Sequence, residues 1–463
     1  MCAAISCLDT RYSDDVSPLI GICDEFSYYR NRIVVEIKYF IKFTGITTIV
    51  YNPLTDFTQD DYKKILELEK VLKHDVKAIE YFIKDIPEIK NTNRSHLIHI
   101  GLTSQDICSI GFMLCFTDSM VIIAQKIIEF NIMFNKQLIQ PENCNVYMIG
   151  LTHGQPATPT NFRKEMLIYY TRLDNIYNEI IHTLQNDITV KFGGATGEFN
   201  SIKLVLSDSE IDWYTWCDEF IAEFNTNTNN TNTKTNTNTN TKYLIDYKPR
   251  FKRSQYTNQC DNYDSLTKVL YQLKRLLHIL EHLRGNIWLY IQRDYFIQHT
   301  ITTEIGSSTM PNKVNPIDIE NSKTAIEMAK RMIDGICDII SETSYQRDLS
   351  DSSAIRNISS VFGYILIAFT KLFTGISRLS VNNVKIQDEL HSHPEVILEG
   401  IQTYLKYYCN ITDSYEQLKN ISRGKNITLP DIHLFIDNLN ILEEHKIKLK
   451  NITPHNYIGY DNF

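Results

Sequence analysis

The 463-residue chain has no excess of basic charge, no C-x-x-C cysteine pair and no uninterrupted apolar run approaching the ~20 residues of a membrane span. Each absence excludes a class. With 47 basic against 55 acidic side chains and a net charge of −8, there is no dominant positive field to hold nucleic-acid phosphates or a membrane surface, so an anionic ligand must meet a local basic site. Ten cysteines scattered from Cys2 to Cys409 argue against a zinc ribbon or a disulfide scaffold and fit reduced thiols in the cytoplasm. The N-terminal stretch reaches Asp9 and Arg11 before any apolar run of signal-peptide length, so the chain reads as unexported and soluble. A chain this long buries a core without disulfides or metal as staples.

What is present is mostly helical periodicity. Ile65, Leu66, Leu68, Val71, Leu72, Val76, Ile79 and Phe82 recur at threes and fours from Tyr62 onward, and Leu266, Val269, Leu270, Leu273, Leu276, Leu277, Leu280, Leu283 and Ile287 do so further on. More long helices are expected at about 107–138, 161–190, 317–343 and 355–379, and long helices on short loops predict a bundle. Little reads as strand beyond short pieces near 45–51 and 188–204. The expected fold class is all-α, in three regions: 1–93, a central long-helix region 94–376, and 377–463. Asn225 to Thr241, almost all Asn and Thr, has too few apolar side chains to offset the entropy of ordering and reads as a disordered insertion.

Four segments are poor in periodic apolar residues and rich in groups that bind anions or move protons: Gly101-Leu-Thr-Ser-Gln-Asp106, Leu151-Thr-His-Gly-Gln-Pro-Ala-Thr158, Gly306-Ser-Ser-Thr-Met-Pro-Asn-Lys-Val-Asn-Pro316 and Gln346-Arg-Asp-Leu-Ser-Asp-Ser352. All are expected at helix boundaries, where backbone N–H groups are free. Thr103 and Ser104 offer short hydroxyl donors, for a carboxylate or for simple N-capping. His153 stands in a turn where an imidazole is presented for proton transfer, or merely lies at the surface. Lys313 and Asn315 precede a helix whose start is marked by Pro316, with Asp318 and Glu320 in its first turn, which suits a loop closing over an anion. His278, Glu281 and His282 match the H-x-x-E-H pattern of some zinc proteases, but a zinc site needs a third ligand and an open position, and the motif lies inside a strongly periodic helix. No metal is expected.

Taken together, the four segments resemble the signature regions of the fumarase/aspartase superfamily. Arg11-Tyr12, Lys73-His74-Asp75 and Gln346-Arg-Asp-Leu further resemble the branch that cleaves adenylosuccinate, from about residue 9 to Gly459. The resemblance implies a β-elimination that releases fumarate and AMP, and the analogous cleavage of the succinylated carboxamide ribotide of purine synthesis, without a cofactor. It places the base on Ser307, with Ser308 as the competing assignment, and the acid on His153, with Glu320 holding its tautomer. Lys313 and Asn315 complete the carboxylate end beside Thr103 and Ser104. Arg11, Tyr12, Lys73, His74, Asp75 and Gln255 lie near the nucleotide, and Arg347, Ser352 and Arg356 face the phosphate. Members are homotetramers built on a central long-helix core, with each active site drawn from three subunits. One departure is Asn312, where relatives often carry histidine. Another lyase of the superfamily, such as an argininosuccinate lyase or a fumarase, and a non-catalytic helical protein reusing the fold are the alternatives.

Overall fold

The computed structural model describes residues 5–226, 249–301 and 309–460. Capping chemistry sets its element boundaries. Helix α1 (Glu25–Thr44) starts where Asp24 accepts the Ser27 N–H at 2.8 Å and ends at Gly45 in the left-handed conformation. The Thr58/Asp61 capping box opens α2 (Gln59–Leu72). Lys73 then adopts a φ of 54°, and His74 caps α3 (Asp75–Asp85) by accepting the Lys77 N–H on Nδ1 at 3.2 Å. The single helix expected from Tyr62 to Phe82 is therefore two helices, broken where two of the candidate residues sit.

The long helices follow: α4 (Ser104–Phe134), α5 (Phe162–Asn186), α6 (Trp213–Thr226), α7 (Asp264–Gln292), α8 (Ile317–Ile340), the short α9 (Ser350–Ile355) and α10 (Ile358–Ser377). The predicted stripe on α7 is buried throughout, at about 2 kcal/mol of transfer free energy per leucine. Ser104–Ile139 and Ser350–Ser377, near two of the long helices expected from sequence, are by length and average hydropathy apolar enough to cross a membrane. Their most apolar windows are 78% and 61% buried inside the fold, as core helices are.

Strands are few and paired in twos: β1 (Tyr147–Thr152) antiparallel to β2 (Gln155–Asn161), β3 (Ile188–Val190) parallel to β4 (Phe251–Arg253), and β5 (Phe296–Gln298) antiparallel to β6 (Leu379–Val381). The strand expected at 45–51 does not form. Glu88 instead accepts the Val50 and Tyr51 N–H groups at 2.6 and 2.9 Å, while Ile46, Ile49 and Tyr51 pack on an apolar cluster. The expected insertion also starts late: Asn225 and Thr226 close α6, and Asn225 exchanges two hydrogen bonds with the Phe251 backbone, at 2.6 and 3.2 Å. Residues 227–241 lie outside the described residues.

The chain separates into two units, 1–129 with 174–281 and 321–371, and 130–173 with 282–320 and 372–463. The first contains a cluster formed by α1, α2, α3 and the segment to Ile98, with Ile33, Phe40, Ile65, Ile79 and Ile83 at its centre. The second contains a cluster of Ile149 with residues 390–449, including Leu390, Ile401, Leu405, Ile432 and Leu449.

Candidate active site

In the first unit, the start of α4 is organised by Asp106. Its fully buried carboxylate accepts the Thr103 N–H at 2.8 Å, the Gly193 N–H at 2.7 Å, the Gly194 N–H at 3.2 Å and the Lys191 ammonium at 2.6 Å. Lys191, also fully buried, donates to the Gly194 carbonyl at 2.6 Å. Burial works against that ammonium and holds its pKa below the ordinary lysine value despite Asp106. Asp106 takes the Thr103 N–H, and the hydroxyls of Thr103 and Ser104 have no hydrogen-bond partner among the described residues. Gly101, with φ +73°, lets the Ile202 side chain pack against the backbone before α4: a Cβ there would stand 2.1 Å from Ile202 Cδ1.

Gln105, next to Ser104, donates to Asp351 at 2.8 Å; Tyr263 donates to the same oxygen at 2.7 Å, and Arg347 pairs with the other oxygen at 3.5 Å. Asp351 thus connects the Thr103–Ser104 segment to the loop bearing Arg347 and to the start of α9, which bears Ser352. Ser352 donates to the Leu349 carbonyl at 3.2 Å. Asp75 pairs with the buried Arg32 at 2.6 Å and with Arg356 at 3.2 Å, and Arg356 also reaches Glu25 at 2.6 Å. Burial would raise the Asp75 pKa, but the Arg32 guanidinium outweighs it and holds the carboxyl below its usual range. The structure therefore joins Asp75 with Arg356, and Arg347 with the Thr103–Ser104 segment.

Other expected residues of this unit stand apart. Arg11 is exposed, Tyr12 lies beneath the Lys371 ammonium at 6.0 Å, and Lys73 is exposed. The Gln255 amide turns outward to the Tyr256 hydroxyl at 3.2 Å, whereas Gln259 is tied by its backbone N–H to the Gln346 carbonyl, beside Arg347. Arg32, Glu25, Gln105, Asp106, Lys191 and Asp351 were not singled out from sequence. Lys191 did carry a signal, as a lysine closing the apolar run Ile188-Thr-Val-Lys-Phe192.

In the second unit, the segment 151–158 is not at a helix boundary as expected but on the β1/β2 hairpin. His153 and Gly154 form its two-residue turn with φ of 53° and 71°, the positive pair a right-twisted hairpin favours. His153 is exposed at the tip and has no side-chain partner among the described residues. Helix α8 begins at Ile317; the Pro316 carbonyl accepts the Glu320 N–H at 3.0 Å, so Pro316 takes the capping position. Lys313 is exposed in the turn before it, and Asn315 is half-buried. Within its own chain Glu320 accepts from the Trp288 indole at 3.4 Å, not from His153. Ser307 and Ser308 lie outside the described residues.

The His278/His282 motif has cationic surroundings. Burial and then the Lys330 and Lys274 ammoniums hold His278 below the ordinary imidazole range; burial and Arg172, 2.9 Å from His282, do the same there. Among the described residues no group of three His, Cys, Asp or Glu side chains is placed to hold a metal ion.

A family model described as Lyase matches residues 43–210 and 226–332, and one described as Adenylosuccinate lyase C-terminal matches 343–458. The chain is 34% identical to the adenylosuccinate lyase of Dictyostelium discoideum and 33% identical to that of Escherichia coli K12, each over 98% of this chain and 96% of the relative. The chain belongs to the adenylosuccinate lyase family. Solved structures at low identity share its fold: a fumarate lyase from Mesorhizobium sp. BNC1 (TM-score 0.68, 14% identity, 96% of this chain and 95% of that one) and a β-carboxy-cis,cis-muconate cycloisomerase from Acinetobacter calcoaceticus sp. ADP1 (TM-score 0.66, 12% identity, the same coverage). Membership of the adenylosuccinate lyase family and the fold of these neighbours agree with the all-α, fumarase/aspartase-like class expected from sequence.

Proposed function

We propose that the protein eliminates fumarate from adenylosuccinate to release AMP, and from the succinylated carboxamide ribotide SAICAR to release AICAR. The observation that carries this reading is the 33–34% identity, over nearly the whole of both chains, with proteins named adenylosuccinate lyase. In the elimination, a proton leaves the carbon beside a succinyl carboxylate, its electron pair becomes the new C=C bond, and the C–N bond breaks with its pair going to the leaving nitrogen, the exocyclic amino nitrogen of the purine or the carboxamide nitrogen of the ribotide. The carbanion spreads charge into the carboxylate, so donors aimed at that carboxylate lower the barrier most.

Ser307 is the base in this proposal, with Ser308 the competing assignment. Lys313, Asn315, Thr103 and Ser104 hold the carboxylate, and the unspent hydroxyls of Thr103 and Ser104 support that role. His153 protonates the departing nitrogen, with Glu320 as its carboxylate partner. Arg347, Ser352 and Arg356 take the phosphate, for which a guanidinium fork is suited. Arg11, Tyr12, Lys73, His74, Asp75 and Gln255 serve the nucleotide side.

The same proposal makes the protein a cytoplasmic homotetramer with shared active sites and three regions per protomer, 1–93, 94–376 and 377–463. Exposed apolar side chains on the long helices support an interface: Tyr271, Met328 and Ile339 in the first unit, Ile132, Leu289 and Phe373 in the second. The separate apolar clusters at 29–98 and 390–449 support the outer two regions. His153, exposed on its hairpin and without a side-chain partner among the described residues, suits an acid that works in a site completed by another copy. The test is the ultraviolet change when purified protein meets adenylosuccinate, argininosuccinate or malate. A change with adenylosuccinate alone is expected, and none with it would overturn the reading.

A further inference from the structure

The Arg356 guanidinium is held by two carboxylates whose circumstances differ. Asp75 is balanced without it: its Oδ2 takes Arg32 at 2.6 Å and its Oδ1 takes the Val76 N–H at 2.8 Å. Arg32 is fully buried and fixed between the Tyr28 and Tyr29 rings, 4.2 Å from each centroid. Glu25 has Arg356 as its ion-pair partner, at 2.6 Å, and its side chain is 47% exposed. An ion pair that open to water contributes little. Glu25 is also the first residue of α1, where the helix dipole stabilises a carboxylate whether or not a cation is present. Burial works against the Arg356 charge, and Glu25 outweighs it. Glu25 and Arg356 line one hollow, with Tyr28, Phe112, Ser359 and Phe362.

We infer that Glu25 competes with the substrate phosphate for Arg356 and so sets how tightly the protein holds its nucleotide. The inference rests on the proposed phosphate-side role of Arg356. A phosphate dianion offers the guanidinium a stronger, forked pair than a half-exposed carboxylate does. Glu25 is the partner that can leave, because water and the start of α1 stabilise its carboxylate once Arg356 is gone. Binding then exchanges one Arg356 partner for another while the second holds the side chain in place. Substrate and AMP both carry the phosphate, so the competition acts on both.

The test is calorimetric titration of inorganic phosphate, at fixed ionic strength, into the full-length parent, Glu25→Gln and Arg356→Gln proteins, with KM for adenylosuccinate measured alongside. Glu25→Gln is expected to tighten phosphate and lower KM three- to tenfold, and Arg356→Gln to weaken both. If Arg356→Gln weakens phosphate but Glu25→Gln leaves it unchanged or weaker, the competition is overturned and Glu25 merely holds Arg356 in place. If Arg356→Gln changes neither phosphate binding nor KM, the phosphate-side reading itself fails. Should Glu25→Gln not fold, Glu25→Asp, whose shorter side chain withdraws the carboxylate, carries the same expectation.

Discussion

Replacing Lys191 by Met isolates the buried pair that shapes the start of α4. The substitution keeps length and apolar volume, removes the ammonium, and leaves the Asp106 charge with no exposed surface. Breaking a buried pair by removing one partner costs about 3–5 kcal/mol. Here Asp106 keeps three sets of backbone donors, from Thr103, Gly193 and Gly194, which places the cost near the low end, about 3 kcal/mol. The Gly194 carbonyl also loses its donor. Denaturant titration should therefore show a loss of about 3 kcal/mol, and hydrogen exchange of a peptide spanning 188–199 should rise about a hundredfold. In the double variant Lys191→Met/Asp106→Asn, which no longer buries a lone charge, at least about 2 kcal/mol of the summed single losses should return. A Lys191→Met protein within about 1 kcal/mol of the parent, or strictly additive single losses, would refute the reasoning.

Gly197→Ala should abolish soluble, active protein, because a Cβ there stands 2.0 Å from the Thr257 backbone oxygen at a φ of +96°; Gly154→Ala, at φ +71° with nothing within 4 Å, should cost only about 1 kcal/mol, and melting curves compare the two. Burial pushes the Asp118 carboxyl up to about 6 against the Arg30 charge. Its folded pKa is raised, so its contribution is full below about 4 and lost as pH rises through about 6. Asp118→Asn has no such loss and should gain about 2 kcal/mol on the parent between pH 4 and pH 7, discounted for a partly exposed side chain; parallel loss in both proteins would contradict the burial argument. Deleting 227–241 should leave turnover within a few-fold, whereas a deletion that begins at Asn225 should lower the melting temperature by removing its two bonds to Phe251.

Legibility in the sequence followed the range of the interactions. The α7 stripe was readable because leucines at threes and fours are a local signal, and they are buried as expected. The break at Lys73-His74 was not: the apolar period continues across it, and a lysine in the left-handed conformation gives none of the usual Gly or Pro warning. The hairpin around His153 was hidden because β2 holds Pro156 and Pro159, which argue against a strand, although the turn at His153 was anticipated. The apolar residues at 46–51 suggested a strand, yet propensity creates no pairing partner, and Glu88 took the backbone donors instead. Thr103, Ser104 and Arg347 were proposed from motifs, and Arg356 from the family resemblance. Their supports, Lys191 on Asp106 and Asp351 on Gln105, span 85 and 246 residues, separations that no local pattern encodes.

The proposed elimination is tested most directly by the rate of AMP formation from adenylosuccinate by the parent and the Ser307→Ala protein under identical conditions. Steady release of AMP and fumarate in equal amounts is expected from the parent, and substrate bound but uncleaved from the variant. A parent that leaves adenylosuccinate intact would contradict the proposed elimination, and Ser307→Ala turnover near the parental rate with Ser308→Ala inactive would contradict Ser307 as the base.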